Sequence, residues 1–564
     1  MSKTSFVLLI IYTLFSVEVA SQNLQLQISG ANDIETTTID SISYKKNHSD
    51  LNTMQREIDS MQLRLFQIGY IENAFDKIRK QNDSTFLASF SLKNKFETIY
   101  IYYNDKLVPK SILQEVSADV FDTYFILPFH KIETAMNTLN SKISDLGFPF
   151  SEIQLQNIIV KNSNTLEASL VSSEKTKKRS IDKIILKGYE KFPKSYLRHY
   201  LKIKPKRTFN LTEVKNKTQA LNELRFAGQI KEPEVLFTKD STILYLYIEK
   251  TKSNSFDGFL GFGTNEETNK IDFDGYLDLK LNNNLNFGET FNLTYKSDEN
   301  EQKTFNVQLN LPYLFNSPLG VELGLNIFKK DSSFTTVNQN AKLFYQINPQ
   351  TNVFFGVNST KSNNLLSAEN TITDIQDYNS NIYNVRFVYK KLQNNILFNT
   401  NLLFDLELGN GTRDFLNNSE NQTRFLFNAF KIFNFNPKNS IYLRLNGSGL
   451  FSNTFLENEL FRFGGINSIR GFEENSIVAS FYGLINTEYR YQLSRAIYIH
   501  SIIDFAYLEN KLLIQKEKLY GFGFGFGLLT KAGLLKFNYA NGKTENQKFK
   551  FSNSKIHLSL TAVF

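Results

Sequence analysis

The C-terminal half of the chain alternates apolar and polar residues over many successive segments. From about residue 253 onward, alternating segments of about ten residues are separated by turns rich in Asn, Ser, Lys and Gly. Side chains on a strand point to opposite faces with a period of two, whereas a helix repeats every 3.6 residues. The pattern therefore predicts an all-β half. One segment shows it in four apolar positions: Val321, Leu323, Leu325 and Ile327.

A soluble β-sandwich would also alternate, but three features favour a transmembrane barrel. Strand and turn repeat over residues 253–564, which is longer than most single sandwiches. Tyr and Phe recur near the segment ends, where the aromatic girdles of membrane barrels lie. The last segment, Ile556–Phe564, alternates to its end. At roughly 18–20 residues per strand with its connection, the sequence predicts about 16 antiparallel strands.

The N-terminus has the features of a secretory signal peptide. Lys3 precedes an apolar run, Phe6–Val17, and a small-residue cleavage site follows at Val19-Ala20-Ser21. Twelve apolar residues are too few to span a bilayer. Residues 1–21 are therefore predicted to be a signal peptide, and the protein is expected to be exported.

Between the signal and the alternating half, helical and strand patterns repeat. Glycines Gly69, Gly147 and Gly228 each follow a helical stripe and precede two strand-like runs. This spacing predicts an array of three small α+β domains, each β-α-α-β-β, over residues 22–104, 105–174 and 175–252. Sheets of this size carry open edges, which can accept an extended segment of another protein. The first helical stripe consists of Leu51, Met54, Ile58, Met61 and Leu65.

Composition excludes several classes of function. The chain has no cysteine, so disulfides and thiolate chemistry are absent, and its five histidines are scattered without ligand spacing. We therefore expect that the protein is not an enzyme and that it binds no metal and no cofactor. The net charge of +8 is modest for 564 residues and no basic stripe is present, so no nucleic-acid partner is expected.

The run Tyr520–Gly527 alternates Gly with aromatics, which predicts a strand with a bare inner face and an aromatic lipid-facing side.

A Gly-rich stretch with one arginine lies within the alternating half. Phe463–Phe472 reads FGGINSIRGF and is too rich in glycine for a helix and too punctuated for a strand. Arg470 is flanked by Ile469 and Gly471. Taken alone, the stretch is either a surface loop with a solvated arginine or a functional connection with a buried cation.

These features together resemble a known family. The β-α-α-β-β unit with a Gly-aromatic after its second helix resembles the POTRA domain, best over residues 181–250. With the barrel pattern and Ile469-Arg470-Gly471-Phe472, the chain resembles the BamA/TamA superfamily of outer-membrane proteins, whose relatives include two-partner secretion transporters. The chain terminus at Phe564 resembles the sorting signal of outer-membrane barrels.

The resemblance implies that the sixth extracellular loop folds back into the lumen and that its arginine pairs with an acidic residue on the inner wall. Asp504, in a strand similar to the family's Val-Asp-x-Gly strand, is the first candidate partner. Glu488, in a strand similar to Glu-hydrophobic-Arg-aromatic, is the second. The full loop motif consists of Gly464, Gly465, Ile469, Arg470, Gly471 and Phe472.

Closing such a barrel requires the first strand, about Phe256–Thr264, to pair with the last, Ile556–Phe564, because lipid does not tolerate open edges. Glycine weakens a strand, so a weak seam is predicted. The resemblance implies that this seam opens sideways to admit client strands. The seam residues are Gly258, Gly261 and Gly263 in the first strand and Leu558, Leu560 and Phe564 in the last.

The resemblance implies an insertase or translocase, TamA-like or BamA-like, in the outer membrane of a Gram-negative bacterium with its N-terminal domains in the periplasm. Its partners would be unfolded outer-membrane or secreted client proteins and the lipid bilayer; an inner-membrane or periplasmic partner stays open. Two alternatives remain: a dedicated secretion pore for one partner protein, and a structural or adhesive outer-membrane barrel.

Overall fold

The structure, a computed structural model, describes residues 24–105, 108–172, 177–264, 271–297, 302–366, 374–531, 533–551 and 554–563. The predicted signal peptide and Phe564 lie outside these residues. None of the described helices is both long and apolar enough to cross a lipid bilayer. The chain divides into two compact units. One holds the first two small sheets, and the other holds the third sheet and the barrel.

The first small sheet packs two helices against strands in the order β2-β1-β4-β3. Asp50 begins the long helix, because its carboxylate accepts a hydrogen bond from the Thr53 backbone at 2.8 Å. Met54 and Ile58 are buried as predicted, but Leu51 is exposed because it lies in the first helical turn. The elements are β1 (Leu24–Ser29), α1 (Asp33–Ser41), β2 (Asn47–His48), α2 (Leu51–Gln67), β3 (Ala74–Lys80) and β4 (Thr85–Ser91).

The second sheet repeats this connectivity in the order β6-β5-β8-β7. Its first and last strands run parallel, as they do in the first sheet, and the helix after its second strand packs Leu139 and Ile143 into the core. The elements are β5 (Thr98–Tyr102), α3 (Lys110–Leu113), β6 (Tyr124–Pro128), α4 (Ile132–Asp145), β7 (Ile153–Asn162) and β8 (Thr165–Ser172).

The third sheet has three strands in the order β10-β11-β9, again with its first and last strands parallel. Gly69 and Gly147 end helices with positive φ, as their spacing predicts. Gly228 does not, because the third helix ends at Gln219 and Gly228 already lies in a strand. The elements are β9 (Lys183–Gly188), a π-helical turn (Tyr196–Tyr200), α5 (Leu211–Gln219), β10 (Ala227–Phe237) and β11 (Thr242–Lys250).

The predicted fold class is confirmed: small mixed α/β sheets precede a closed barrel of sixteen antiparallel strands. The strands are β12 (Ser255–Thr264), β13 (Ile271–Asn282), β14 (Thr290–Ser297), β15 (Gln302–Leu311), β16 (Leu319–Lys330), β17 (Phe334–Asn348), β18 (Thr351–Asn364), β19 (Tyr378–Leu392), β20 (Thr400–Phe415), β21 (Asn418–Asn434), β22 (Asn439–Phe451), β25 (Phe481–Gln492), β26 (Ile497–Asn510), β27 (Gln515–Leu529), β28 (Leu534–Thr544) and β29 (Ser554–Val563). The connection from β22 to β25 contains a small hairpin, β23 (Phe461–Phe463) and β24 (Ile477–Ala479).

The third domain docks onto turns of the barrel through aromatic side chains. The Tyr196 hydroxyl donates to the Gly288 carbonyl at 3.0 Å, and the Tyr196 ring packs edge-on against Tyr313 at 4.9 Å between centroids. The Tyr189 hydroxyl accepts from Asn283 Nδ2 at 2.8 Å. Burial raises the pKa of Tyr196 well above its ordinary value, so its hydroxyl stays protonated and keeps donating. The third domain is thereby held to the barrel.

Replacing Gly288 with alanine should release this docking. Gly288 has φ +79°, and a Cβ there would overlap the edge of the Tyr196 ring, 1.9 Å from Cε2. Such strain costs about 1–3 kcal/mol. We expect Gly288→Ala to speed trypsin cleavage at Lys250 and Lys252, measured on the full-length protein in detergent.

Gly483→Ala is the matched control, because a methyl group added there meets no atom within 4 Å. Equal cleavage rates in the two variants and the parent would contradict the docking role.

Candidate functional site

The Gly-rich motif lies in the long connection between β22 and β25, the eleventh and twelfth barrel strands. The small hairpin β23–β24 brackets the motif on both sides. From there the loop packs against the inner face of β25 to β28. Gly464 and Gly465 begin the turn after β23, and both have positive φ.

Arg470 is buried and is bound by Asp504 of β26. Its Nε donates to Asp504 Oδ2 at 2.8 Å and its Nη2 donates to Oδ1 at 2.6 Å, which is the bidentate geometry of a strong arginine–carboxylate pair. The Arg470 backbone N–H also donates to Oδ2 at 3.0 Å. Asp504 is 1% exposed. One carboxylate therefore holds both the side chain and the backbone of the loop.

The second predicted candidate, Glu488 of β25, contacts the same guanidinium. Arg470 Nη1 donates to Glu488 Oε1. The other Glu488 oxygen accepts from Arg490 Nε at 2.7 Å. Arg490 lies over the Tyr442 ring at 4.1 Å. The structure thus brings Arg470 together with both candidates, in a network of two arginines and two carboxylates.

Ile469, beside the arginine, is fully buried in an apolar cluster within the barrel. It packs in one cluster with Phe463 and Ala479 of the loop and with wall residues that include Tyr482 and Ala506. Phe463 and Tyr482 are stacked with their centroids 4.3 Å apart. Ala506 occupies the glycine position of the Val-Asp-x-Gly pattern that its strand resembles, and its methyl group packs in this cluster. The loop is therefore held by apolar packing as well as by charge.

Two glycines allow the loop backbone to approach the wall. Gly471 has φ +91°, and a Cβ there would overlap the backbone of Gly542 in β28. A Cβ at Gly521 of β27 would overlap the Arg470 carbonyl oxygen. At Gly521, the bare inner face predicted for the 520–527 run thus meets the arginine loop, while Phe522 and Phe524 of that run are exposed on the outer face.

The sequence did not indicate further wall residues that hold this loop. Arg444 of β22 donates to the Asn467 carbonyl at 2.7 Å, and Asn486 of β25 donates to the Ser468 carbonyl at 2.9 Å. Their only sequence signal was a polar residue at a strand position, which many lumen-facing residues share.

The acidic pair after the motif, Glu473 and Glu474, also binds cations of the barrel wall. Glu473 pairs with Lys555 of the last strand at 2.8 Å, and Glu474 pairs with Lys296 of β14 at 3.4 Å. The loop therefore reaches the last strand of the barrel.

The first and last strands meet at the predicted seam over a short stretch. Among the described residues, β12 pairs with β29 only at Ser255–Val563 and Phe256–Ala562. At the next position, the Thr561 hydroxyl donates to Asp257 at 3.1 Å, a side-chain bond in place of a backbone pair. Gly258, Gly261 and Gly263 pair with β13 on the other side, and Leu558 and Leu560 are exposed on the outer face of β29.

A luminal cavity of about 840 Å³ lies between the arginine network and the seam. Its lining includes Arg470 from the loop, Asp257 and Thr561 from the seam, and Lys536 from β28. Within the described ranges, no cluster of three or more His, Asp or Glu could hold a metal ion. The cavity therefore has a charged polar wall on the loop side and the short seam on the other.

Comparisons with known proteins agree with this architecture. The POTRA family model, described as surface antigen variable number repeat, matches residues 180–250. No curated protein matches the sequence significantly.

Three solved structures share the fold. BamA from Haemophilus ducreyi lacking POTRA domains 1–3 is 13% identical, covers 82% of this chain and 99% of its own, and has a TM-score of 0.50. CdiB from Acinetobacter baumannii is 13% identical and covers 91% and 98%, with a TM-score of 0.53. CdiB from Escherichia coli is 11% identical and covers 90% and 98%, with a TM-score of 0.50.

The chain therefore has the BamA/TamA-type fold: a POTRA domain at residues 180–250, preceded by two small sheets of like connectivity and followed by a sixteen-strand barrel.

Arg470 and Asp504 should be strongly coupled in stability. Removing Arg470 leaves the Asp504 carboxylate buried without its counter-ion, whereas removing Asp504 leaves the guanidinium with Glu488 alone, so the second removal should cost less than the first. We expect a coupling free energy on the order of 0.5–3 kcal/mol between Arg470→Ala and Asp504→Ala. Urea unfolding of the full-length protein in detergent measures it.

The control cycle combines Arg470→Ala with Arg386→Ala. Arg386 pairs with Asp405 and Glu322 on the barrel wall, so its effect should add to that of Arg470→Ala within about 0.5 kcal/mol. Equal coupling in both cycles would mean that Arg470 and Asp504 do not act as a pair.

Proposed function

We propose that the protein is an outer-membrane insertase or translocase in a Gram-negative bacterium. Its periplasmic domains receive unfolded outer-membrane or secreted client polypeptides, and its barrel assembles or translocates them. The role is non-catalytic and uses no cofactor. It depends on strands that can accept a partner strand and on a loop that obstructs the lumen until a client is engaged.

The short seam is the observation that carries this proposal. In lipid, every backbone N–H and C=O must find a partner within protein. Beyond Phe256 the described part of β12 has no backbone pairs with β29, whereas β28 pairs with β29 from Leu534 to Asn541. An extended client segment can supply the missing partner by strand addition.

The small sheets support the same reading. β3, β7 and β10 are edge strands, and an edge strand offers unpaired backbone groups to an incoming chain. β7 also exposes three consecutive apolar side chains: Ile158, Ile159 and Val160. Soluble sheets usually avoid such an edge, so its presence suits transient binding of unfolded chain.

A dedicated secretion pore for one partner protein is the second candidate. The luminal cavity of about 840 Å³ favours it, because a polar lumen beneath a movable loop suits passage through the barrel. The two candidates differ in route: an insertase opens its seam toward lipid, whereas a pore passes its client along the lumen with the seam closed.

Protease treatment of intact cells tests the orientation. We expect residues 22–252 to be spared while the outer membrane is sealed and to be digested once it is permeabilised, because they would lie in the periplasm. Immunoblotting with an N-terminal antibody reads the result. Digestion in sealed cells would exclude this orientation.

A disulfide across the seam tests the route. The chain has no cysteine, so Phe256→Cys with Ala562→Cys can be joined without background. We expect oxidation to abolish activity and reduction to restore it, because a covalent seam cannot admit a client strand. The readouts are folded proteins in the outer-membrane fraction and proteins released to the medium, in cells that rely on the variant.

Leu279→Cys with Leu293→Cys is the matched control, because it joins β13 and β14, which pair along their length. This bridge should leave activity unchanged. If the seam-locked protein still supported its client, sideways opening would be wrong and passage through the lumen would become the better explanation.

A further inference from the structure

The first limb of the luminal loop, residues 452–463, carries none of the motif around Arg470, yet its middle part, residues 456–460, is largely buried. It contains a short 3-10 turn, Glu457–Glu459, between the buried residues Leu456 and Leu460. Glu459 is 8% exposed. Withdrawing a carboxylate from water is costly unless a cation and hydrogen-bond donors replace the water. Its partners therefore show what holds this limb.

The cation is Arg413 of β20, which is 0% exposed. Arg413 Nη1 donates to Glu459 Oε1. Its Nη2 donates to the Thr454 hydroxyl of the same limb at 2.6 Å and to Glu420 of β21 at 2.7 Å. Gln422 of β21 donates to the other Glu459 oxygen at 2.9 Å. One wall arginine thus binds two residues of the loop.

The rest of the turn is fastened to a different part of the wall. Asn458 Nδ2 donates to the Ser362 hydroxyl of β18 and to the Gln376 carbonyl, both at 2.8 Å. Glu457 accepts from Lys330 of β16 at 3.0 Å. The limb is therefore attached to β16, β18, β20 and β21, whereas the Arg470 motif is attached to β22 and to β25 through β28.

The two attachments have opposite charge arrangements. At Arg470 the loop supplies the cation and the wall supplies the carboxylates. At Arg413 the wall supplies the cation and the loop supplies Glu459. The two networks use different wall strands, so breaking one leaves the other intact.

We infer that Arg413 is a positioning residue of a second latch, which holds the first limb of the loop across the lumen independently of Arg470. Release of Arg470 alone frees the motif but leaves residues 454–459 bound to β16, β18, β20 and β21. The lumen opens fully only when both latches release. This inference deepens the proposed function. It rests on that function because a latch is needed only if the loop has to move.

Ion conductance through the purified full-length protein in planar lipid bilayers tests the latch without any client. The variants are Arg413→Gln, Arg470→Gln and the double variant. Each latch includes charge-assisted hydrogen bonds, so the open fraction of the double variant should exceed that of either single variant by about tenfold or more. If Arg470→Gln alone opened the channel as fully as the double variant, the second latch would be overturned.

Glu459→Gln guards against an effect on folding, because it leaves Arg413 bound to Glu420 on the wall. It should reproduce the Arg413→Gln conductance and add nothing when combined with it. Heat-modifiable migration on a gel shows whether the Glu459→Gln plus Arg470→Gln variant has a folded barrel. Parental conductance in that folded variant would also overturn the latch.

Arg386→Gln is the matched control. Its guanidinium is bound to Asp405 at 2.8 and 2.6 Å and pairs with Glu322, all on the barrel wall. It should leave the open fraction unchanged, alone or with Arg470→Gln. An increase equal to that of Arg413→Gln would assign the effect to general loss of luminal charge and overturn the proposal. Loss of client assembly with the conductance pattern intact would count against the proposed function alone.

Discussion

Backbone hydrogen bonding in lipid governs the barrel half of this protein. A strand in hydrocarbon must be paired on both sides, so an antiparallel sheet can exist there only if it closes. Sixteen strands achieve closure, but the final junction pairs Ser255 with Val563 and Phe256 with Ala562 and is continued by a side-chain bond from Thr561 to Asp257. The same constraint forces closure. It also makes this short junction the place where pairing with a strand from another chain would be most favourable.

The lumen obeys a second constraint, the cost of burying charge. Arg470 is withdrawn from water, and Asp504 and Glu488 replace the lost hydration with direct hydrogen bonds. Apolar packing around Ile469 and the close backbone approach at Gly521 add shape complementarity to these electrostatic contacts. Such a buried pair is weak evidence for net stability, because much of its Coulombic attraction offsets the cost of removing both charges from water.

Sequence reasoning reached the fold class and the arginine motif because both depend on local pattern. Alternation with period two predicts strands, and a helical stripe predicts Met54 and Ile58 in a core. Reasoning failed where neighbours in space decide: Leu51 fits the stripe but lies at an exposed helix end, and Gly228 fits the repeat but lies in a strand. Asp504 and Glu488 were named from a resemblance, whereas Arg413 and Glu459 had no local signal, since they are 46 residues apart in the chain.

The sequence by itself determined which residues form strands, which form helices and which stretch could not be either, because these outcomes follow from side-chain periodicity and from glycine. Only the tertiary structure decided that β12 and β29 share so short a junction, that the third domain docks through Tyr196, and that the two limbs of one loop are bound by different strands of the barrel wall. Barrel closure brings together residues far apart in the chain, and the register of that closure depends on every strand between them.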